Sequence, residues 1–365
     1  MKAYLIATFV VTFINFINEK FFLNSTHKKT RAILFFTSLL VLCLIAGVRN
    51  TTVGTDINVY VVRLMNLANN YDNPFSFIVN SNSDFLFALI VYIGNLTNNI
   101  GTVLFLIELA VALPIYIFAY LERNSKPFSI SIFIFLMVMY AASFNIMRQS
   151  IAISICILAY HFWDNKYRKL ALFTIFIAFL FHKTSIIFLA IFLVNFVVKG
   201  KIKNKELFLI LTIVLIAIVP LLLDRLIGLT IYSEYLTRES LMRDFSFGAI
   251  LKKVFWLLLS IFTLFRFKNQ NLKDDMTISM FLILISLVLT FTSFTIPGTG
   301  RLGYYFNNLF YFLSIPDIPK VFKQKNIAMV SLLSILVLFW WNMTAVENDS
   351  SRVYPYKSDL VKVLE

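Results

Sequence analysis

The sequence predicts an all-α polytopic membrane protein, and three observations carry that prediction. Apolar residues make up 59% of the chain and charged residues only 14%, against about half and about a quarter in a soluble globular domain. Many apolar runs approach the roughly 20 residues that an α-helix needs to cross a hydrocarbon core, and the mean hydropathy is +0.81. The basic residues gather in short polar connections between those runs, as they do in cytoplasmic loops. A soluble chain of 365 residues would form two or three domains; this composition instead predicts one integral membrane domain over 1–365. The formal charge of +14 then has a membrane origin and does not point to nucleic acid. Cys43 and Cys156 each lie inside an apolar run, so no disulfide framework is expected.

Taken in order, the apolar runs fall at 3–18, 32–48, 85–97, 101–120, 128–146, 149–163, 170–182, 184–198, 206–223, 249–265, 276–296, 303–318 and 326–342. The first resembles a signal anchor but lacks a small-x-small cleavage pattern before Asn15, Asn18 and Glu19, so retention is expected. Six short loops hold more than half of the 33 Lys and Arg residues, among them Lys166-Tyr167-Arg168-Lys169 and the stretch from Lys199 to Lys205. Assigned to the cytoplasm, they place 49–84, 224–246 and the tail 343–365 outside. The run at 85–97 is too short for a confident span and reads as a re-entrant or interfacial segment. About 12 transmembrane helices remain. The mixed-charge, aromatic stretch 224–246 is an outer loop or a helix lying on the membrane surface.

One stretch seeds the functional reading. The runs at 149–163 and 170–182 form a hairpin around a basic turn, which returns Arg148 and His182 to the same membrane face. Arg148 has polar company in Asn145, Gln149 and Ser150, and ionisable groups near membrane depth usually face a cavity. The bland alternative is an arginine snorkelling to headgroups, and the same alternative applies to Arg49. His182 is the one histidine on the outer face, and imidazole is the side chain that titrates around neutral pH, which suits a general base. A satisfied structural histidine is the competing reading. Asp56 either caps the segment beginning at Ile57 or acts as a second candidate base.

Arg301 follows Pro297-Gly298-Thr299-Gly300, a turn where glycines would let a ligand approach the backbone. Tyr304 beside it, and Tyr232 and Tyr235 in the long outer loop, suit sugar faces or serve as interfacial anchors. Lys252 lies near the outer end of its helix. Glu108, mid-run with Pro114 beyond it, either pairs with an inward arginine or is held neutral. There is no P-loop and no zinc-ligand spacing, so neither a cofactor nor a metal is expected. Several arginines at one face suit a phosphate-bearing ligand, because a guanidinium pairs bidentately with phosphate oxygens.

Three stretches, RNTTVGTDINVY at 49–60, MRQSIAI with FHKTS within 147–185, and RLGYYFNNLFYFLSIP at 301–316, resemble the EpsG family of Wzy-type exopolysaccharide and O-antigen polymerases. Tyr354-Pro355-Tyr356 in the tail fits as well. The resemblance implies a GT-C-like helical bundle in the bacterial cytoplasmic membrane, with its site on the outer side. It implies transfer of a growing chain between undecaprenyl-diphosphate-linked oligosaccharides serving as donor and acceptor, alongside a flippase and a chain-length regulator. Carried over, Arg49, Arg148 and Arg301 would hold the donor diphosphate, and His182 or Asp56 would activate the acceptor hydroxyl. The sequence departs from the family at Ser83-Asp84, where the family pattern is led by Glu. The competing functions are a flippase for the same lipid-linked saccharides and a glycosyltransferase or ligase that adds a single unit.

Overall fold

The computed structural model describes residues 2–22, 28–200, 247–293, 298–341 and 352–360, with single positions at 210, 214 and 218. Every regular element among them is helical. The chain divides into two compact units, Met1–Ser185 with Leu333–Glu365, and Ile186–Leu332.

In the first unit, α1 (Lys2–Phe22) and α2 (Lys28–Gly47) lead into α3 (Ile57–Ala68) and α4 (Pro74–Asn80). After them come α5 (Phe85–Asn95), α6 (Ile100–Glu122), α7 (Phe128–Ser143), α8 (Met147–Asp164) and α9 (Arg168–Phe181). The polar end of α1 is tied into the bundle through Asn15 and Glu19. The Asn15 amide donates to Val11 O at 2.8 Å, and its oxygen accepts from Ser38 of α2 at 3.0 Å. The Glu19 carboxylate accepts from Ser129 N and Ser129 Oγ at the start of α7, so an acid from one helix caps the positive end of another. α7 contains a π-helical turn, Leu136–Tyr140. α8 and α9 form the expected hairpin, closed at its basic turn by the Arg168 guanidinium 3.9 Å above the Trp163 ring.

α5 has eleven residues, so it rises about 16 Å, roughly half the ~30 Å hydrocarbon core. On its own it is too short to cross. It packs closely on α6, where a Cβ on Gly94 would sit 2.8 Å from Val103.

The second unit holds α10 (Leu189–Lys199), α11 (Phe247–Arg266), α12 (Gln270–Thr292), α13 (Thr299–Ser314) and the start of α14 (Lys325–Trp341). Trp256 of α11 is fully buried against Phe310 and Tyr311 of α13. Of the glycines around Arg301, Gly300 and Gly303 serve helix packing, while a Cβ on Gly298 would meet nothing within 4 Å. A Cβ on Gly300 would meet Ser293 at 3.2 Å, and one on Gly303 would meet Ser286 at 3.3 Å.

Among the described residues, four helices are long and apolar enough to cross a membrane: Lys28–Gly47, Ile100–Glu122, Gly248–Arg266 and Gln270–Thr292. Of the other apolar runs predicted as spans, 3–18 lies in the 21-residue α1, and most of the rest become helices of 18 residues or fewer or are broken. The run at 184–198, for example, starts as a 3-10 turn at Lys183–Phe188 before α10. The run at 206–223 lies outside the described residues.

Candidate functional site

The connection after α2 docks onto the chain between α7 and α8. Gly54 has φ +97°, and a Cβ there would lie 2.2 Å from the Phe144 carbonyl oxygen, so only glycine lets this loop sit so close. Next to it, the Asn145 side-chain oxygen accepts from Thr55 N at 3.1 Å and from Thr55 Oγ1. Asn145 thus ties the loop after α2 to the entrance of α8.

This docking buries Arg49, which is only 4% exposed. Its guanidinium lies 4.0 Å from the Phe144 ring centroid and donates to Ala46 O at 3.2 Å. Burial pulls its pKa down, while the negative charge of Glu108 pushes it back up. Glu108 is buried in α6, with one oxygen accepting from Ser143 Oγ at 2.8 Å, and Arg49 is the cation that acts on it. The C-terminal tail closes over the same region. Asn50 N donates to Lys357 O and Gly54 N to Arg352 O, both at 2.8 Å. Tyr356 donates to Ile45 O at 2.7 Å, and burial pushes its phenol up to about 12.

Arg148 and His182 do meet, and they meet on Asp84. Arg148 Nη1 lies 2.9 Å from Asp84 Oδ2, and His182 Nδ1 lies 3.5 Å from that same oxygen. The Arg148 guanidinium also stacks 4.0 Å from the Tyr60 ring centroid. Asp84 is 8% exposed at its side chain, against 21% for Arg148 and 24% for His182, so a nearly buried carboxylate is covered by two partly open basic groups. A buried acid of this kind requires such partners.

Beside the cluster lies a small, open pocket lined by Val59, Tyr60, Arg63, Leu64, Ser81, Asn82, Ser83 and Arg148. Arg63 is exposed, and its side chain has no ion-pair or hydrogen-bond partner among the described residues. The pocket therefore carries two guanidinium groups and one aromatic ring.

The other sequence-predicted residues are distributed as follows. Asp56 occupies the N-cap position before Ile57 but makes no capping bond with its side chain. Gln149 is buried at the start of α8. Arg301, exposed, and Tyr304, half-buried, lie on α13 in the second unit, and Lys252 lies on α11 there. The neighbouring Lys253 turns inward to α12, donating to Ser286 O at 3.0 Å and to Thr290 Oγ1. Tyr232 and Tyr235 fall outside the described residues. No group of three or more His, Cys, Asp or Glu side chains suited to a metal occurs among the described residues.

Sequence reading missed Asp84, Tyr60 and Arg63. Asp84 carried a signal, an acid just before an apolar helix, but its partners are 64 and 98 residues away. Tyr60 and Arg63 stand one helical turn apart beside the 49–60 motif.

Taken together, the fold and the site define an all-helical membrane protein with a basic, aromatic-lined pocket next to a His–Asp–Arg cluster. The chain belongs to the EpsG family, whose match extends over residues 32–358 and whose members are Wzy-like polysaccharide polymerases. No curated protein and no solved structure matches it.

Proposed function

We propose that this chain polymerises oligosaccharide repeat units carried on undecaprenyl diphosphate, at the outer face of the cytoplasmic membrane. The single observation that carries the reading is the meeting of Arg148, Asp84 and His182 beside a pocket that also contains Arg63. Arg148 and Arg63 are suited to hold the donor's diphosphate, since guanidinium forks match phosphate oxygens. In the reaction, the acceptor sugar hydroxyl attacks the donor's anomeric carbon. The bond from that carbon to the diphosphate breaks, and the lipid diphosphate leaves with the electron pair. Preorganised cations stabilise the charge that develops on it. His182 takes the hydroxyl proton, with Asp56 as the second candidate. Arg49, buried under the tail, supports the loop that presents this face and does not itself reach the ligand.

Glu108 favours one rival. A buried acid midway along a long apolar helix is what proton-coupled transport of the same lipid-linked saccharide would use. The test is the purified chain in liposomes, given a lipid-linked repeat unit. Polymerisation predicts a ladder of products differing by one unit. Passage of unjoined units across the bilayer, with no ladder, would establish the transporter instead.

A further inference from the structure

Asp84 occupies the N-cap position of α5 with extended backbone angles, φ −65° and ψ 136°. An aspartate there normally turns its carboxylate onto the first free N–H groups of its own helix. This one makes no capping bond; its backbone carbonyl alone receives Ala88 N. The side chain instead reaches across the unit to α8 and to the end of α9.

The turn behind it is fixed. Ser81 is 1% exposed, donates to Ile78 O at 2.8 Å and accepts from Ser83 N at 3.3 Å. Asn82 completes the bend with a left-handed φ of 49°. On the far side, Arg148 is held between the carboxylate and the Tyr60 ring. His182 is anchored through its backbone, with its N–H on Ala178 O at 2.9 Å and its carbonyl accepting from Ser185 N at 3.0 Å. Its ring has no other polar partner among the described residues.

We infer that Asp84 is the positioning residue for His182: its Oδ2 fixes the Nδ1 edge of the imidazole, so that Nε2 is the nitrogen presented to substrate. This inference rests on the function proposed above. A neutral imidazole whose Nδ1–H points at a carboxylate has Nε2 as its acceptor, so the contact selects the tautomer as well as the ring angle. The present 3.5 Å is long for a hydrogen bond, and such contacts commonly tighten once substrate is bound. Arg148 supplies the reason to tighten. When its guanidinium engages a diphosphate, the Asp84 charge is left to the imidazole, which becomes cationic as it takes the acceptor's proton. Donor binding and acceptor activation are thereby coupled through one carboxylate oxygen.

The experiment is steady-state transfer in liposomes with an undecaprenyl-diphosphate-linked oligosaccharide, for the full-length wild type, Asp84→Ala, Asp84→Asn, His182→Ala and the Asp84→Ala/His182→Ala double variant. Asp84→Ala is expected to lower kcat about 100-fold with KM within about threefold, within the range removed by a misplaced general base. Asp84→Asn keeps the oxygen but not the charge, is nearly isosteric and folds wherever Ala is not tolerated. It should recover about tenfold over Ala. In kcat the double variant should be no slower than His182→Ala alone, because Asp84 reaches the proton transfer through that ring, whereas its 2.9 Å pair with Arg148 bears on donor binding. A raised KM at unchanged kcat, wild-type turnover in Asp84→Asn and Asp84→Ala, or a double variant slower than both singles overturns the inference. If His182→Ala turns over like the wild type, the base assignment itself has failed, and that result is separate from any outcome at position 84.

Discussion

Replacing Gly54 by alanine perturbs the scaffold of the site without touching a polar group. The added methyl would lie 2.2 Å from the Phe144 carbonyl oxygen and 3.0 Å from its carbon, so the loop or the α8 entrance must retreat by about 1 Å to reach ordinary contact. That retreat opens the Asn145–Thr55 hydrogen bonds, each contributing about 1 kcal/mol, and adds overpacking strain of about 1–3 kcal/mol. The positive φ of 97° adds about 1–2 kcal/mol for any residue with a Cβ. The total is about 4–7 kcal/mol. Gly298 is the control: its φ is 83°, but a Cβ there meets nothing within 4 Å. Gly298→Ala should therefore lose only about 1–2 kcal/mol. Thermal unfolding of the detergent-solubilised variants, followed by loss of the monodisperse peak, compares the two directly. A midpoint for Gly54→Ala as high as that for Gly298→Ala would refute the docking argument.

Two further outcomes follow from the tail and from the second unit. Burial raises the Tyr356 phenol to about 12; a raised acid contributes stability fully below its unfolded pKa near 10 and loses it as pH climbs through the folded value. The tail should thus loosen between about pH 10 and 12, seen as protease cleavage near Arg352, and Tyr356→Phe should lack that step while losing about 1 kcal/mol at neutral pH. Asp275→Asn breaks the 2.7 Å pair with Lys199, whose members are about 30% exposed, and should shift stability by less than about 1 kcal/mol in the same unfolding assay.

Much of the helix plan was legible in the apolar runs. The runs at 101–120, 149–163 and 249–265 became Ile100–Glu122, Met147–Asp164 and Phe247–Arg266, because a stretch with no polar alternative for its backbone forms helix throughout. The meeting of Arg148 and His182 was legible too, since a hairpin of two similar helices brings its ends together. What joins them was not. Asp84 reaches its partners only in three dimensions, and its place before an apolar helix resembles that of an ordinary cap. The burial of Arg49 depends on a tail 300 residues away, with Asn50 bonded to Lys357, and no local pattern encodes that cover. Gly300 was misread for a related reason. Small residues permit close approach by a ligand or by a neighbouring helix, and the sequence does not say which; here α12 takes the space.

The most direct measurement is turnover of Arg148→Lys in liposomes with a defined lipid-linked repeat unit, alongside a check that the variant inserts and purifies as the wild type does. Lysine keeps the charge near Asp84 but not the planar fork that stacks on Tyr60 and whose geometry matches two phosphate oxygens. The account predicts polymer formation slowed about 100-fold by a protein that is otherwise intact. A ladder produced at close to the wild-type rate would contradict it and remove the Arg148 pocket from the reaction.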